Sequence, residues 1–311
     1  MYDNFYDDDK ELDISAESKS YSCDELPVDM GSWVSYMPYN DFDQRQLQLD
    51  SLLSLPIYNS YGSIKFVLSK HIDFLEQYLQ NISNQIKITN TETVLETEVF
   101  YTSKIEGAKT TRKRTQELYN GSPIQDNNRF SESMVLNNFK AVKMLNLYGN
   151  RLNEDILYKV WETLTDGCCQ NEEIKGTLYR NGEVGITNSD FKAVPVDMIK
   201  SSIKAFLDFY ESDLLNDKPF TKACILHYTF ETIHPFCDGN GRLGRLIMNN
   251  YLISMGIESC RAVSFSEQID KNRGLYDGAF ISSENEYGDC TPFIEYMLQR
   301  MADAYITAKS L

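Results

Sequence analysis

The sequence predicts an all-α protein, a bundle of helices interrupted by one short β-hairpin. Three observations carry that expectation. Apolar residues recur at helical spacing in one stretch after another from about residue 40 to the end. Many of these stretches open at Asn, Ser or Pro and stop at Gly, the usual punctuation of helices. Only residues 176–195 combine short β-prone runs with a turn pair, Asn181-Gly182.

Taken in order, residues 1–30 are acidic and poor in large aliphatics, and they read as a flexible tail. Residues 31–125 read as an N-terminal helical lobe. In it Leu47, Leu49, Leu52 and Leu53 precede Pro56, while Phe66, Leu68, Ile72, Phe74 and Leu75 follow Gly62. Asn90 opens the next helix and Gly107 closes it, which sets Leu95, Val99, Thr102 and Glu106 on one face. A glutamate in a last turn meets the negative end of the helix dipole, so Glu106 needs either solvent or an arginine. Arg112, Lys113 and Arg114 read as a solvated basic turn.

Residues 126–311 read as the core. Ser131 is placed to cap a helix to about Tyr148, with Met134, Val135, Phe139, Val142 and Leu145 as its stripe. Asn153 starts another, carrying Ile156, Leu157, Val160 and Leu164, with Trp161 in the core and Gly167 as its stop. After the hairpin, residues 198–210 form an amphipathic helix, and Asn216 with Pro219 starts the next. Beyond the glycines at 239 and 241, Leu243, Leu246, Ile247 and Tyr251 face the core until Gly256. KNRGLYDGAF and GDCTPFIEYML form a last helical pair.

Composition limits the function. A net charge of −16 on 311 residues disfavours nucleic acid and anionic lipid as partners. The N-terminus lacks the basic start and apolar stretch of a signal peptide, and no apolar run reaches membrane-spanning length. The seven scattered cysteines form no C-x-x-C pair, so neither zinc nor a disulfide framework is expected. Reduced thiols in a cytoplasm are the expectation. His71 and His227 have no companion ligands and read as structural.

The chemistry concentrates at residues 233–245, IHPFCDGNGRLGR. Backbone N–H groups of a glycine-rich turn that opens a helix form an anion cradle. Asp238 can hold a divalent cation, Arg242 and Arg245 can neutralise phosphate oxygens, and His234 can move a proton near neutral pH. Together these parts describe phosphoryl or nucleotidyl transfer. GNGRLG also satisfies G-x-G-x-x-G, but a dinucleotide fold needs a buried strand leading into the first glycine. Here Pro235 and a helical repeat stand in its place.

HPFCDGNGRLGR resembles the Fic family signature, H-x-F-x-[D/E]-G-N-G-R-x-x-R, at all eight specified positions. Thr102-Ser103-Lys104-Ile105-Glu106-Gly107 resembles the family's inhibitory motif, [S/T]-x-x-x-E-[G/N]. Its placement before the core, on a helix at about 91–107, is that of class II members. The hairpin, with Gly176, Arg180, Val184 and Pro195, resembles the Fic flap.

The resemblance implies a Fic-fold helical bundle with a flap at about 176–195 and a signature loop at 234–245. It implies transfer of AMP from ATP to a Ser, Thr or Tyr hydroxyl of a protein, with release of pyrophosphate. Transfer of another phosphate-containing group, removal of AMP, and a non-catalytic nucleotide scaffold are the alternatives. His234 would be the base and Asp238 the Mg²⁺ ligand. Gly239, Asn240, Gly241, Arg242 and Arg245 would hold phosphates, with Asn240 orienting the α-phosphate.

Val184, Gly185, Ile186 and Thr187 of the flap, and Tyr276 and Asn285, would contact the rest of the nucleotide. Leu275 stands where the family has a second tyrosine. Glu106, with Thr102, would occupy Arg245 in place of the γ-phosphate. A target protein would add a strand to the flap. Self-modification and a homo-oligomer are the remaining partner expectations.

Overall fold

Eleven α-helices and a two-stranded antiparallel sheet make up the described residues, 53–59, 62–184, 193–285 and 289–310 of a computed structural model. They are β1 (Leu53–Asn59), β2 (Gly62–Phe66), α1 (Lys70–Ser83), α2 (Thr91–Ile105), α3 (Arg112–Tyr119) and α4 (Arg129–Tyr148). There follow α5 (Glu154–Thr165), α6 (Ile199–Glu211), α7 (Pro219–Ile233), α8 (Asn240–Ser254), α9 (Phe265–Lys271), α10 (Arg273–Asn285) and α11 (Thr291–Lys309). The acidic stretch 1–30, Leu47, Leu49, Leu52, Cys23 and the flap positions Gly185, Ile186 and Thr187 lie outside the described residues. The all-α expectation holds for the class of the fold.

α7 is apolar on every side and sits at the centre for that reason. Phe220, Ala223, Cys224, Ile225, Leu226, His227, Tyr228, Phe230 and Ile233 are all fully buried along it. α8 packs against it through Leu243, Ile247 and Met248, with α6, α11 and α1 on its other sides. Pro219 begins α7 at a position where a missing N–H costs nothing. α2 crosses to α3, α4, α9 and α8, which brings its C-terminal end over the start of α8.

Several local expectations need correction. Residues 53–59 and 62–66 are paired strands, not helix: Leu53 pairs with Phe66, Ser54 with Lys65, Tyr58 with Ser63 and Asn59 with Gly62. Ile64 and Phe66 alternate with Ser63 and Lys65, a period of two that buries one face. Conversely, residues 175–184 form no strand, only a bridge between Lys175 and Arg180. The chain therefore turns over residues 176–179, upstream of Asn181-Gly182, and Ala193 N–H donates to the Val184 carbonyl at 3.3 Å.

The basic turn is a helix, α3, and Arg114 is not solvated. Arg114 is 15% exposed and its Nη2 meets the buried Glu132 at 2.8 Å. Ser131 does not cap α4, which starts two residues earlier. Its hydroxyl accepts from Lys109 N–H at 2.9 Å instead. Other boundaries follow the expected punctuation: Asn153 Oδ1 accepts from Ile156 N–H at 2.9 Å, and Gly167 and Gly256 both have positive φ. Among the described residues no helix is long and apolar enough to cross a membrane.

Candidate active site

The site is the turn between α7 and α8. α7 ends at His234, whose backbone is left-handed (φ 46°, ψ 59°) and whose N–H donates to Phe230 O at 3.0 Å. Pro235 then prevents the helix from resuming. Gly239 caps α8 at φ 78°, a conformation a side chain resists, and a Cβ there would approach Arg242 Nη2 to 3.2 Å.

Four side chains lock the loop. Asn240 Oδ1 accepts from Phe236 N–H at 3.0 Å while its Nδ2 donates to Phe236 O at 2.9 Å. Phe236 stacks on Trp161 with centroids 4.5 Å apart. Trp161 Nε1 donates to the Asp238 carbonyl at 2.8 Å. Arg180, buried, donates to the carbonyls of His234 (2.7 Å), Gly182 (2.7 Å) and Val194. These contacts give one residue a structural role. The Asn240 amide is buried and bonded to the Phe236 backbone through both Oδ1 and Nδ2, so it shapes the loop.

What faces the first turn of α8 is an anion cradle. The first helical bond runs from Leu243 N–H to Gly239 O at 3.0 Å, leaving the N–H groups of Asn240, Gly241 and Arg242 ahead of it. A carboxylate lies against this turn. Glu106 Oε1 lies 2.3 Å from where a Cβ on Gly241 would stand, so only glycine permits the approach. The same oxygen accepts from Arg245 Nη2 at 2.7 Å, and Arg245 Nε donates to Thr102 Oγ1 at 2.8 Å. Arg242 donates through Nη1 to Leu164 O at 2.9 Å, while its Nε and Nη2 are buried without a hydrogen-bond partner.

The titrating groups respond to these neighbours. Burial alone would raise the Glu106 carboxyl, but Arg245 above all, then Arg242 and Arg273, hold it below the usual range. Burial and then the Arg180 guanidinium push His234 down to about 4, against Glu106, the Glu231 backbone carbonyl and Asp238. The ring keeps 32% of its side-chain surface exposed, so solvent and a substrate hydroxyl can reach it. An ordinary imidazole value does not apply here. His234 is neutral throughout the physiological range.

Asp238 is the residue that can hold a cation. Its Oδ1 accepts from Gly239 N–H at 2.6 Å and its Oδ2 from Gln170 N–H at 2.7 Å. Each oxygen keeps a lone pair, and the side chain is 16% exposed, 3.6 Å from Arg242 Nη2. Among the described residues no cluster of three or more His, Cys, Asp or Glu is built to hold a metal alone. One carboxylate beside a phosphate cradle suits Mg²⁺, which takes few protein ligands and completes its shell with phosphate and water.

The turn thus gathers His234, Asp238, Gly239, Gly241, Arg242, Arg245, Glu106 and Thr102. Tyr276 stands behind it, buried, with its hydroxyl 2.8 Å from His227 Nε2. Asn285 ends α10, and nothing is described of its side chain. The sequence does not show what Arg180 and Trp161 do for the loop, because their partners are backbone carbonyls and a ring far along the chain. Sequence reasoning also missed Gln170 and Glu231. Glu231 had a readable signal, since three residues before His234 it shares that helix face.

Fold and site together define a class: helical bundles that present a glycine-edged anion cradle beside a histidine at a helix–helix turn. Residues 151–252 match the model of the Fic/DOC family. Over that stretch the chain is similar to that family.

A probable protein adenylyltransferase of Aquifex aeolicus is 28% identical over 125 residues, 38% of this chain and 39% of its own length. The protein adenylyltransferase Fic of Nematostella vectensis is 30% identical over 43% of this chain and 30% of its own length. The chain therefore spans less than half the length of these curated relatives. In fold it is similar to a Fic family protein from Desulfovibrio desulfuricans, with TM-score 0.68 at 23% identity, covering 79% of this chain and 76% of that one.

Proposed function

We propose that the protein transfers AMP from ATP to a Ser, Thr or Tyr hydroxyl of a protein, releasing pyrophosphate, and that Glu106 restrains it. The observation that carries this reading is the carboxylate at the start of α8. A cradle that accepts the Glu106 anion between the Gly241 backbone and Arg245 is chemically suited to a phosphate group. The match of residues 151–252 to the Fic/DOC family and the relatives named as adenylyltransferases support the reaction type.

In this reading the triphosphate takes the N–H groups ahead of Leu243, with the buried, unpartnered donors of Arg242 behind them, and these stabilise charge developing on the leaving group. Asp238 would hold Mg²⁺, which neutralises phosphate charge when bound. His234, neutral and reachable, takes the proton of the attacking hydroxyl. Glu106 occupies Arg245, so a γ-phosphate cannot pair with it and ATP settles unproductively. Residues 102–107 thus act as an internal inhibitor of the class II kind. The target protein would dock along the flap.

Mass spectrometry of the Glu106→Gly protein after incubation with ATP and Mg²⁺ tests the reading. An added AMP on a hydroxyl residue is the expected result. A different mass increment would reassign the transferred group, and none, with added candidate targets also unmodified, would refute transfer.

A further inference from the structure

Glu231 lies on α7 one turn before His234, outside the eight specified positions of the signature. Its side chain is 14% exposed, and Oε2 stands 4.0 Å from His234 Nδ1. Oε1 is buried with no hydrogen-bond partner, and so is Nδ1 of His227, one turn earlier on the same helix. Both orphans converge on Gly244. A Cβ built there would fall 2.7 Å from Glu231 Oε1 and 2.9 Å from His227 Nδ1. Gly244 holds a variable position of the signature, and here its bare Cα makes room for the two side chains. Past them, His227 Nε2 meets the Tyr276 hydroxyl at 2.8 Å. His234, Glu231, His227 and Tyr276 form one row that runs from the half-buried His234 inward to the buried His227 and Tyr276.

An unpartnered buried carboxyl is costly, and an aliphatic side chain would pack the same space at lower cost. We propose that Glu231 is a positioning residue that sets the basicity of His234. When Glu231 is protonated, the imidazole is a weak base. When Glu231 is ionised, its carboxylate beside Nδ1 stabilises the imidazolium that forms as Nε2 takes the proton from the attacking hydroxyl. The proton passes from hydroxyl to Nε2 and on to solvent, and no other bond changes at Glu231. The role of His234 in this inference rests on the transfer reaction proposed above.

The groups facing the carboxyl come from every surrounding element. His227 shares α7, Arg245 comes from α8, Glu106 from the end of α2, Arg273 and Tyr276 from α10, and His234 from the loop. Burial lifts Glu231 most, Arg245 lowers it, Glu106 raises it and Arg273 lowers it, leaving the carboxyl at about 8. Glu106 and Glu231 therefore share the field of one guanidinium. Withdrawal of Glu106 opens the cradle and, in the same movement, favours ionised Glu231, whose carboxylate then takes over at His234 the support that Glu106 gave.

The chain has only three histidines, His71, His227 and His234, so their ring resonances can be assigned by substitution. In the native protein without nucleotide, raising the pH from about 6 to about 10 should move the His227 and His234 signals together, with a midpoint well above that of an ordinary carboxyl. Glu231→Gln should abolish that inflection. Gly244→Ala, which crowds the carboxyl, should displace it, so a misfolded Gln variant does not leave the question open. No inflection in the native protein, or one unchanged in both variants, overturns the inference.

A second arm reads the rate. In the Glu106→Gly background AMP incorporation should rise with pH, and Glu231→Gln should flatten the rise and slow transfer about tenfold at its top. Superimposable profiles would overturn the inference. The ring titration needs no ATP, so it decides on Glu231 even if the transfer reading fails.

Discussion

Replacing Glu106 with glycine should raise AMP incorporation by roughly 10- to 150-fold. The magnitude follows from what the carboxylate gives up. Its Oε1 accepts a charge-assisted bond from Arg245 Nη2 at 2.7 Å, and that guanidinium is 2% exposed while Glu106 is 24% exposed. A hydrogen bond to a charged partner contributes about 1.5–3 kcal/mol, which converts to the stated range in the fraction of molecules with a free cradle. The substitution leaves the helix little disturbed, because residue 106 is the cap of α2 at φ −89°, ψ 14° and glycine adopts that freely. Thr102 still accepts from Arg245 Nε at 2.8 Å, so the guanidinium stays aimed.

The assay is the initial rate of labelled-AMP incorporation at saturating ATP and Mg²⁺, with thermal unfolding measured in parallel. Thr102→Val is the graded companion. It removes a bond to a neutral acceptor worth about 1 kcal/mol and should raise the rate about fivefold or less. A Glu106→Gly rate indistinguishable from that of the native protein would show that this carboxylate is not the restraint.

The other predictions concern the base, the brace and acid stability. His234→Ala in the Glu106→Gly background should cut incorporation at least about a hundredfold while nucleotide titration calorimetry still detects binding. Arg180→Leu should destabilise the protein by about 3 kcal/mol in urea unfolding, because it strips a charged donor from three carbonyls and leaves them short of partners. His227 is fully buried, and burial and then Arg245 hold its ring at about 3, well below its unfolded value of about 6.5. Below pH 6.5 the unfolded chain gains a proton that the folded chain refuses, so stability is complete above that pH and is lost as pH falls toward 3. By about pH 5 the loss from His227 is about 2 kcal/mol, measurable as a lowered urea midpoint. His227→Phe should remove this part of the acid sensitivity.

The site was legible in the sequence wherever chemistry demands a residue type at a fixed spacing. A cradle at a helix start needs glycine at 239 for its positive φ and at 241 for close approach, and both positions state that need locally. The Glu106–Arg245 pair was legible only through the resemblance of residues 102–107 to an inhibitory motif, because a carboxylate at that end of a helix can equally face solvent. Residues 53–66 were misread because a short apolar run has no period long enough to separate strand from helix, and the deciding contacts of Ile64 and Phe66 are with the distant core. Arg114 was misread as solvated because Glu132, its partner, lies on another helix.

Glu231 shows the deeper limit. Its spacing from His234 is readable in the sequence, but its charged surroundings are not, since Arg245, Glu106 and Arg273 arrive from three other elements. The specified signature positions name the groups that would touch a nucleotide and leave unnamed those that act through them. Asn240 makes the same point from the opposite side. It is a specified position, yet its amide is committed to Phe236, so the motif records a need for loop shape as well as for ligand contact. A signature is therefore best read twice, once for atoms that face the cradle and once for atoms that hold its backbone still. The unassigned buried carboxyl behind His234 belongs to neither group, and that is why the pH dependence of this turn is the measurement on which the mechanism depends.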